Sequence, residues 1–279
     1  MLKTNPWGRW MDYETIRYDR IGNAGVIRLN RPERMNAVIE QMYLDIQDVM
    51  KHAECDDEVR VLILTGSVLK KGDVERQAFC AGADLKEHSA GQRTHAQKRQ
   101  YIMLAHDTTG IIYEFPKIII AVVNGPARGA GSEMALACDF IFMAEDATIA
   151  FPETGLGTFV GGGVTSHLPA IVGMMKAKEI IYTGRVISGR DSVSLGIALQ
   201  CFPVDRLFDE AMAFAKNLSE KAPISMRLAK KRLQNSFGLD IETVLHLEAD
   251  AILSCMDSED WHEGIRAFNE KRKSEFKGK

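Results

Sequence analysis

The chain has 279 residues and carries 35 Lys and Arg against 38 Asp and Glu, a formal charge of −3. With 46% hydrophobic residues, 26% charged and 23 glycines, its composition is globular and excludes a disordered or collagen-like protein; a chain this long buries roughly 75% of its unfolded surface. Its cysteines, Cys55, Cys80, Cys138, Cys201 and Cys255, are odd in number and widely spread, without CxxC spacing, so neither a disulfide framework nor a zinc site is indicated.

Residues 13–19 and 26–29 read as strands around the turn Gly22-Asn23-Ala24-Gly25, a hairpin closed by Asn30-Arg31-Pro32. Over 36–52, Val38, Met42, Ile46 and Met50 recur at fours, the period of an amphipathic helix. A buried strand over 61–64 stops at Gly66. The polar stretch 67–77 reads as a loop leading into Phe79-Cys80-Ala81-Gly82-Ala83-Asp84, and a long helical region follows over 87–114. Residues 118–123 form a second fully apolar strand, closed by Asn124-Gly125-Pro126, which leads through Gly129-Ala130-Gly131-Ser132-Glu133 into a helix over 134–138. Residues 140–143 and 148–150 make a short strand pair. Repeated strand, glycine turn and helix units point to an α/β fold with parallel pairing.

Beyond Phe202 the strand signal ends, and helices are expected over 206–219, 223–236, 241–255 and 259–276. A boundary near residue 205 divides the chain into a core, 1–205, and a helical region, 206–279, whose amphipathic faces can pack on a partner subunit or on the core. The longest wholly apolar run, 118–123, falls far short of the roughly 18 residues that cross a bilayer. Residues 1–10 lack the apolar region of a signal peptide, so a cytoplasmic location with no membrane partner is expected. The charge balance argues against nucleic-acid binding. It hides an asymmetry, however: residues 266–279 hold six basic and two acidic side chains, a +4 tail on a −7 body. Such a tail is either a solvated helix end or an anion-binding element.

Two glycine-rich segments, Ala81-Gly82-Ala83-Asp84 and Gly129-Ala130-Gly131-Ser132, each follow an apolar strand and open a helix, which points free backbone N–H groups at whatever lies in front. Neither has the spacing of a P-loop or a dinucleotide-binding turn. Beside them stand Glu133 and Glu153, each in low-polarity sequence, where burial would raise a carboxyl pKa toward the range useful for proton transfer. Ser132 is not in a GxSxG setting, and no His is spaced as a triad partner.

The stretches Leu29-Asn30-Arg31-Pro32-Glu33-Arg34-Met35-Asn36-Ala37, Phe79-Cys80-Ala81-Gly82-Ala83-Asp84-Leu85-Lys86-Glu87, Ala121-Val122-Val123-Asn124-Gly125, Phe151-Pro152-Glu153 and Glu270-Lys271-Arg272-Lys273, with the run from Gly129 to Asp139, resemble in order and spacing the crotonase (enoyl-CoA hydratase/isomerase) superfamily over nearly the whole chain. The resemblance implies a spiral of ββα repeats with a helical C-terminal oligomerisation region that builds trimers, often paired into hexamers. It implies an oxyanion hole made by the N–H groups of Ala83 and Ala130, the latter in place of the usual glycine. Glu133 and Glu153 match the two glutamates of water-adding members, whereas members that only move a double bond often lose the first. Arg34, Met35, Ala81, Asp84, Leu85, Lys86 and Lys271 match positions near coenzyme A in relatives, while Glu33 stands where some relatives have lysine. Phe159, Val160, Gly161 and His167 lie where the acyl group would, in a stretch that departs from the usual pattern while keeping Gly161; Phe159, Val160, Val164 and His167 suggest a reshaped pocket for a cyclic, branched or aromatic acyl group.

The resulting expectation is a 2-enoyl-CoA hydratase that needs neither a metal nor a redox cofactor, coenzyme A being part of the substrate. Another crotonase-type reaction (double-bond isomerisation, C–C cleavage or thioester hydrolysis) is the alternative within the enzymes. A non-catalytic CoA-ester-binding or RNA-binding member is the alternative outside them.

Overall fold

The computed structural model describes residues 13–72, 74–90 and 93–279; the segment 1–10 lies outside them. Strands β1 (Ile16–Ile21) and β2 (Ala24–Leu29) pair antiparallel from Ile16 opposite Leu29 to Ile21 opposite Ala24. The turn is therefore only Gly22-Asn23, shorter than the four residues expected, because Ala24 and Gly25 still belong to the ladder. Helix α1 (Glu40–Cys55) also starts later than its apolar period suggests. Met35 and Asn36 are left-handed, at φ 53° and 54°, and Val38 forms a parallel bridge with Ala83. Asparagine tolerates that backbone, and here its fully buried side chain accepts the Arg31 N–H at 3.0 Å and donates to the Ser67 and Ala78 carbonyls at 3.0 and 2.8 Å.

Strand β3 (Val61–Gly66) is followed by a small hairpin, β4 (Leu69–Lys71) and β5 (Val74–Arg76), inside the stretch expected to be a loop. The long helical region is two helices, α2 (Leu85–Ala90) and α3 (His95–Glu114); Thr94 and Gln97 close a capping box at the start of α3, and positions 91 and 92 between them lie outside the described residues. Next come β6 (Ile118–Val123), β7 (Ala127–Arg128), α4 (Ala130–Ala137), β8 (Phe140–Ala144) and β9 (Thr148–Ala150). Helices α5 (Val164–Val172) and α6 (Met174–Thr183), strand β10 (Ile187–Ser188), helix α7 (Gly189–Ser194) and strand β11 (Gln200–Phe202) complete the part before the C-terminal helices.

The main sheet has the order β1-β2-β3-β6-β8-β11, parallel except for the first pair. All residues of β3 and β6 are buried, as parallel strands covered on both faces must be. Strands β8 and β9 do not pair with one another. The first joins the main sheet; the second sits in a three-stranded sheet, β10-β9-β7, because its carbonyl and amide edges are taken by Ala127–Arg128 and Ile187–Ser188.

Helix α8 (Val204–Ser219) packs across β2, β3, β6, β8 and β11 through Leu207, Ala211 and Ala215, so it covers the core although nearly all of it lies beyond residue 205. Three helices follow, α9 (Pro223–Asn235), α10 (Ile241–Met256) and α11 (Glu259–Glu270), of which α9 still touches β6. Helix α9 is fastened by the buried Lys230, whose Nζ lies 2.7 Å from Asp139 Oδ2 and 3.2 Å from the Lys117 carbonyl. Helix α10 has no buried residue at all. Helix α11 ends at Glu270 rather than near 276, since Lys271 turns left-handed at φ 54° and the tail runs back to place the Lys277 and Gly278 N–H groups on the Asp260 carboxylate at 2.6 and 2.8 Å.

Candidate active site

Parallel strands bring their carboxyl ends to one edge, the usual place for a ligand in such sheets. There Asn124 closes the ends of β3 and β6: Oδ1 accepts the Gly66 N–H at 3.2 Å, and Nδ2 donates to the Gly66 carbonyl at 3.1 Å. The two glycine-rich segments meet just beyond. Cys80 bridges Ala127 in parallel, with the Cys80 N–H on the Pro126 carbonyl at 3.1 Å and the Arg128 N–H on the Cys80 carbonyl at 2.9 Å. Glycine is required for this approach. A Cβ on Gly82, whose φ is +88°, would lie 2.7 Å from the Arg128 carbonyl oxygen, and one on Gly131 would lie 2.4 Å from that of Cys80.

The same Gly82 Cβ position is 3.8 Å from the Ala130 nitrogen, so the second turn faces the first. The bridge to Val38 occupies the Gly82 carbonyl and the Asp84 N–H, not the N–H between them. Among the described residues, the N–H groups of Ala83 and Ala130 donate to no protein acceptor, and both residues are partly exposed. Two free donors thus sit side by side, which suits an oxygen taking on negative charge.

Glu133, in the first turn of α4, and Glu153, opening a 3-10 turn (Glu153–Leu156), are both 8% exposed. Their segments are held together by the β7–β9 pairing, by the Gly129 N–H on the Ala150 carbonyl at 3.2 Å, and by Ser132 Oγ on that same carbonyl at 2.9 Å. Glu133 Oε1 accepts the Gly161 N–H at 2.7 Å. Glu153 Oε1 lies over Gly129, where a Cβ would come within 2.6 Å of it, and its Oε2 is buried with no protein partner. Burial raises both pKa values. The Gly161 N–H partly offsets this for Glu133; for Glu153 a backbone N–H opposes the rise and the charge of Glu133 adds to it.

The other expected site residues divide. Ala81 and Met35 are adjacent, the Ala81 N–H donating to the Met35 carbonyl at 3.0 Å. Arg34, Leu85 and Lys86 are exposed nearby in the chain, whereas Asp84 is buried in an ion pair with Arg31 at 3.2 Å. Burial alone would push the Asp84 carboxyl up, but the Arg31 guanidinium holds it below the ordinary value. Arg31, read from sequence as part of a turn signal and of a family-matching stretch but given no role, is thus the organiser of this segment; it also donates to the Ala37 carbonyl at 2.5 Å. Gly161 is at Glu133, Val160 is turned into the core at 6% exposure, Phe159 projects outward at 72%, and His167 stacks on Tyr113 at 4.5 Å. Burial lowers the His167 pKa.

Lys271 is not brought to this group within the chain: it ends α11, and among the described residues no hydrogen bond or ion pair joins it to the residues above. Its neighbours in the tail are engaged, Arg272 with Glu263 and Glu270 and Lys273 with Glu220. Among the described residues no cluster of three or more His, Cys, Asp or Glu is arranged to hold a metal ion, and no helix is long and apolar enough to cross a membrane.

Comparison with known proteins bears on this arrangement. The profile of the enoyl-CoA hydratase/isomerase family matches residues 20–279. The chain is 34% identical over 267 residues to a crotonyl-CoA hydratase of Syntrophomonas wolfei, covering 95% of this chain and 99% of that one. It is 31% identical to a short-chain-enoyl-CoA hydratase of Clostridium acetobutylicum, covering 95% and 98%. Among solved structures, an enoyl-CoA hydratase from Bacillus anthracis superposes with a TM-score of 0.89 at 34% identity, over 95% of this chain and all of the other.

Proposed function

The chain belongs to the enoyl-CoA hydratase/isomerase family, and from that premise we propose that it adds water reversibly across the Cα=Cβ bond of a 2-enoyl-CoA thioester. The observation that carries this is the coexistence of two buried, electrostatically coupled carboxylates, Glu133 and Glu153, with two free N–H groups on facing turns. Ala83 and Ala130 hold the thioester oxygen as it gains enolate charge, a contribution of about 3 to 4 kcal/mol for each donor. Glu133, oriented by the Gly161 N–H, takes a proton from water as the water oxygen bonds to Cβ. Glu153 delivers a proton to Cα as the enolate collapses, and passage of the proton held by Glu133 back to Glu153 restores both acids, so that one molecule of water is consumed.

Coenzyme A lies along Met35 and Ala81, with Arg34 and Lys86 toward its phosphates; Asp84 acts by fixing Arg31 and the turn that carries Ala83. Lys271 reaches a CoA only across an assembly. We assign the chain to a homotrimer or dimer of trimers on the exposed apolar side chains of its last three helices, including Leu233, Leu245, Ile252 and Phe268. All five cysteines are free, in keeping with a cytoplasmic location.

The test is the loss of conjugated-thioester absorbance with crotonyl-CoA. Glu133→Gln and Glu153→Gln should each lower turnover by at least about 100-fold while CoA-ester binding survives. Near-native turnover in both variants would overturn the proposal.

A further inference from the structure

Helix α3 runs along the glycine arm 161–163 that covers Glu133. It lays three side chains there at positions 106, 109 and 113, the spacing of one helical face. The Cβ position of Gly161 lies 3.0 Å from His106 Nε2 and 3.1 Å from Glu133 Oε2; that of Gly162 lies 3.2 Å from Thr109 Cγ2; and Tyr113 stacks on His167. His106 therefore stands across a single glycine from the carboxylate that activates water. His106 is exposed, and among the described residues its ring makes no hydrogen bond to protein, so the ring is open to a ligand; nothing in hydration by two carboxylates and two N–H donors calls for an imidazole at that point.

Exposed apolar side chains flank it in the chain. Ile102, one turn before His106, and Met103 are 50% and 41% exposed, and Phe159 faces outward close to the arm. His167 is committed elsewhere, stacked and half-buried. A hydrocarbon acyl group would press on the unpaired imidazole and displace its water without replacing the hydrogen bond, whereas an oxygen on that group would restore it.

We infer that His106 is a specificity-determining residue that hydrogen-bonds an oxygen on the acyl carbons beyond Cβ, so that the preferred substrate is an oxygen-bearing 2-enoyl-CoA. This rests on the hydratase reading of Glu133 and Glu153. A hydroxyl and a carboxylate share the required chemistry, and both are tested.

The experiment compares kcat/KM for but-2-enoyl-CoA and pent-2-enoyl-CoA with that for their 4-hydroxy and terminal-carboxylate counterparts, in the native protein and in His106→Phe and His106→Gln. The native protein should favour at least one oxygen-bearing ester over its hydrocarbon match by roughly tenfold or more. His106→Phe should abolish that ratio, and His106→Gln, which keeps a hydrogen-bonding group, should retain part of it. No preference in the native protein, or the same preference in His106→Phe, overturns the inference and leaves the hydratase reading standing. Absence of turnover with all of these esters sinks the hydratase reading itself, and this inference with it.

Discussion

Burial disfavours the ionised form of both acids: Glu153 keeps one oxygen buried and unpartnered, and for Glu133 the single Gly161 N–H offsets only part of the desolvation. Both folded-state pKa values lie above the ordinary 4.5. The folded protein therefore holds these protons more tightly than the unfolded chain, and stability falls as pH rises from that ordinary value through the raised ones. Glu133→Gln should accordingly unfold at a higher temperature than the native protein at alkaline pH, with the gap closing toward pH 4.5; calorimetry across that range would read it, and a gap that widens on acidification would contradict the assignment. Gly129 is as constrained as the acids it serves. At φ +47°, with Glu153 Oε1 2.6 Å from a would-be Cβ, Gly129→Ala should cost about 1 to 3 kcal/mol in backbone strain and, by displacing the carboxylate, roughly 100-fold in turnover. Urea unfolding and crotonyl-CoA assays would separate the two effects.

At the level of elements, α9 is held to the sheet by a buried ion pair. Lys230 and Asp139 have 4% and 13% of their side chains exposed, and Asp139 also accepts the Ile119 N–H at 2.8 Å, tying helix to strand start. Lys230→Met removes one partner and leaves the Asp139 carboxylate uncompensated, so the variant should lose about 3 to 5 kcal/mol, visible as a lowered urea midpoint. Asp139→Asn together with Lys230→Met should recover much of that loss, because the stranded charge is gone.

At the scale of the whole molecule, the helices after α8 bury little of themselves. Phe237 and Phe268 are 89% and 83% exposed and α10 has no buried residue, so large apolar side chains are left for another surface to cover. Sedimentation should show the proposed trimer or a multiple of it rather than a monomer, and Phe268→Glu should shift the distribution toward monomer by placing a charge in the proposed contact. A monomeric native protein would refute the assembly.

How far the sequence reached depended on how local each feature is. The apolar run 118–123 became β6 without a shift of boundary, the glycine segments became the facing turns, and Glu133 and Glu153 stood out because their neighbours are small or apolar. The late start of α1 was hidden because Val38 pairs with Ala83, a contact 45 positions away, and the separation of β8 from β9 because each finds its partners in other strands. Arg31 looked like a turn residue until Asp84 came beside it, and His106 like one more polar residue on a helix until the arm from Gly161 to Gly163 crossed over it. Periodicity, glycine turns and family motif are written in neighbouring residues, so the sequence alone determined the α/β class, the two carboxylates and the family resemblance. That the Ala83 and Ala130 N–H groups implied by the resemblance are left free on facing turns, which acid lacks a partner and which histidine faces Glu133 depend on segments far apart in the chain meeting at the strand ends, and only the tertiary structure decided those.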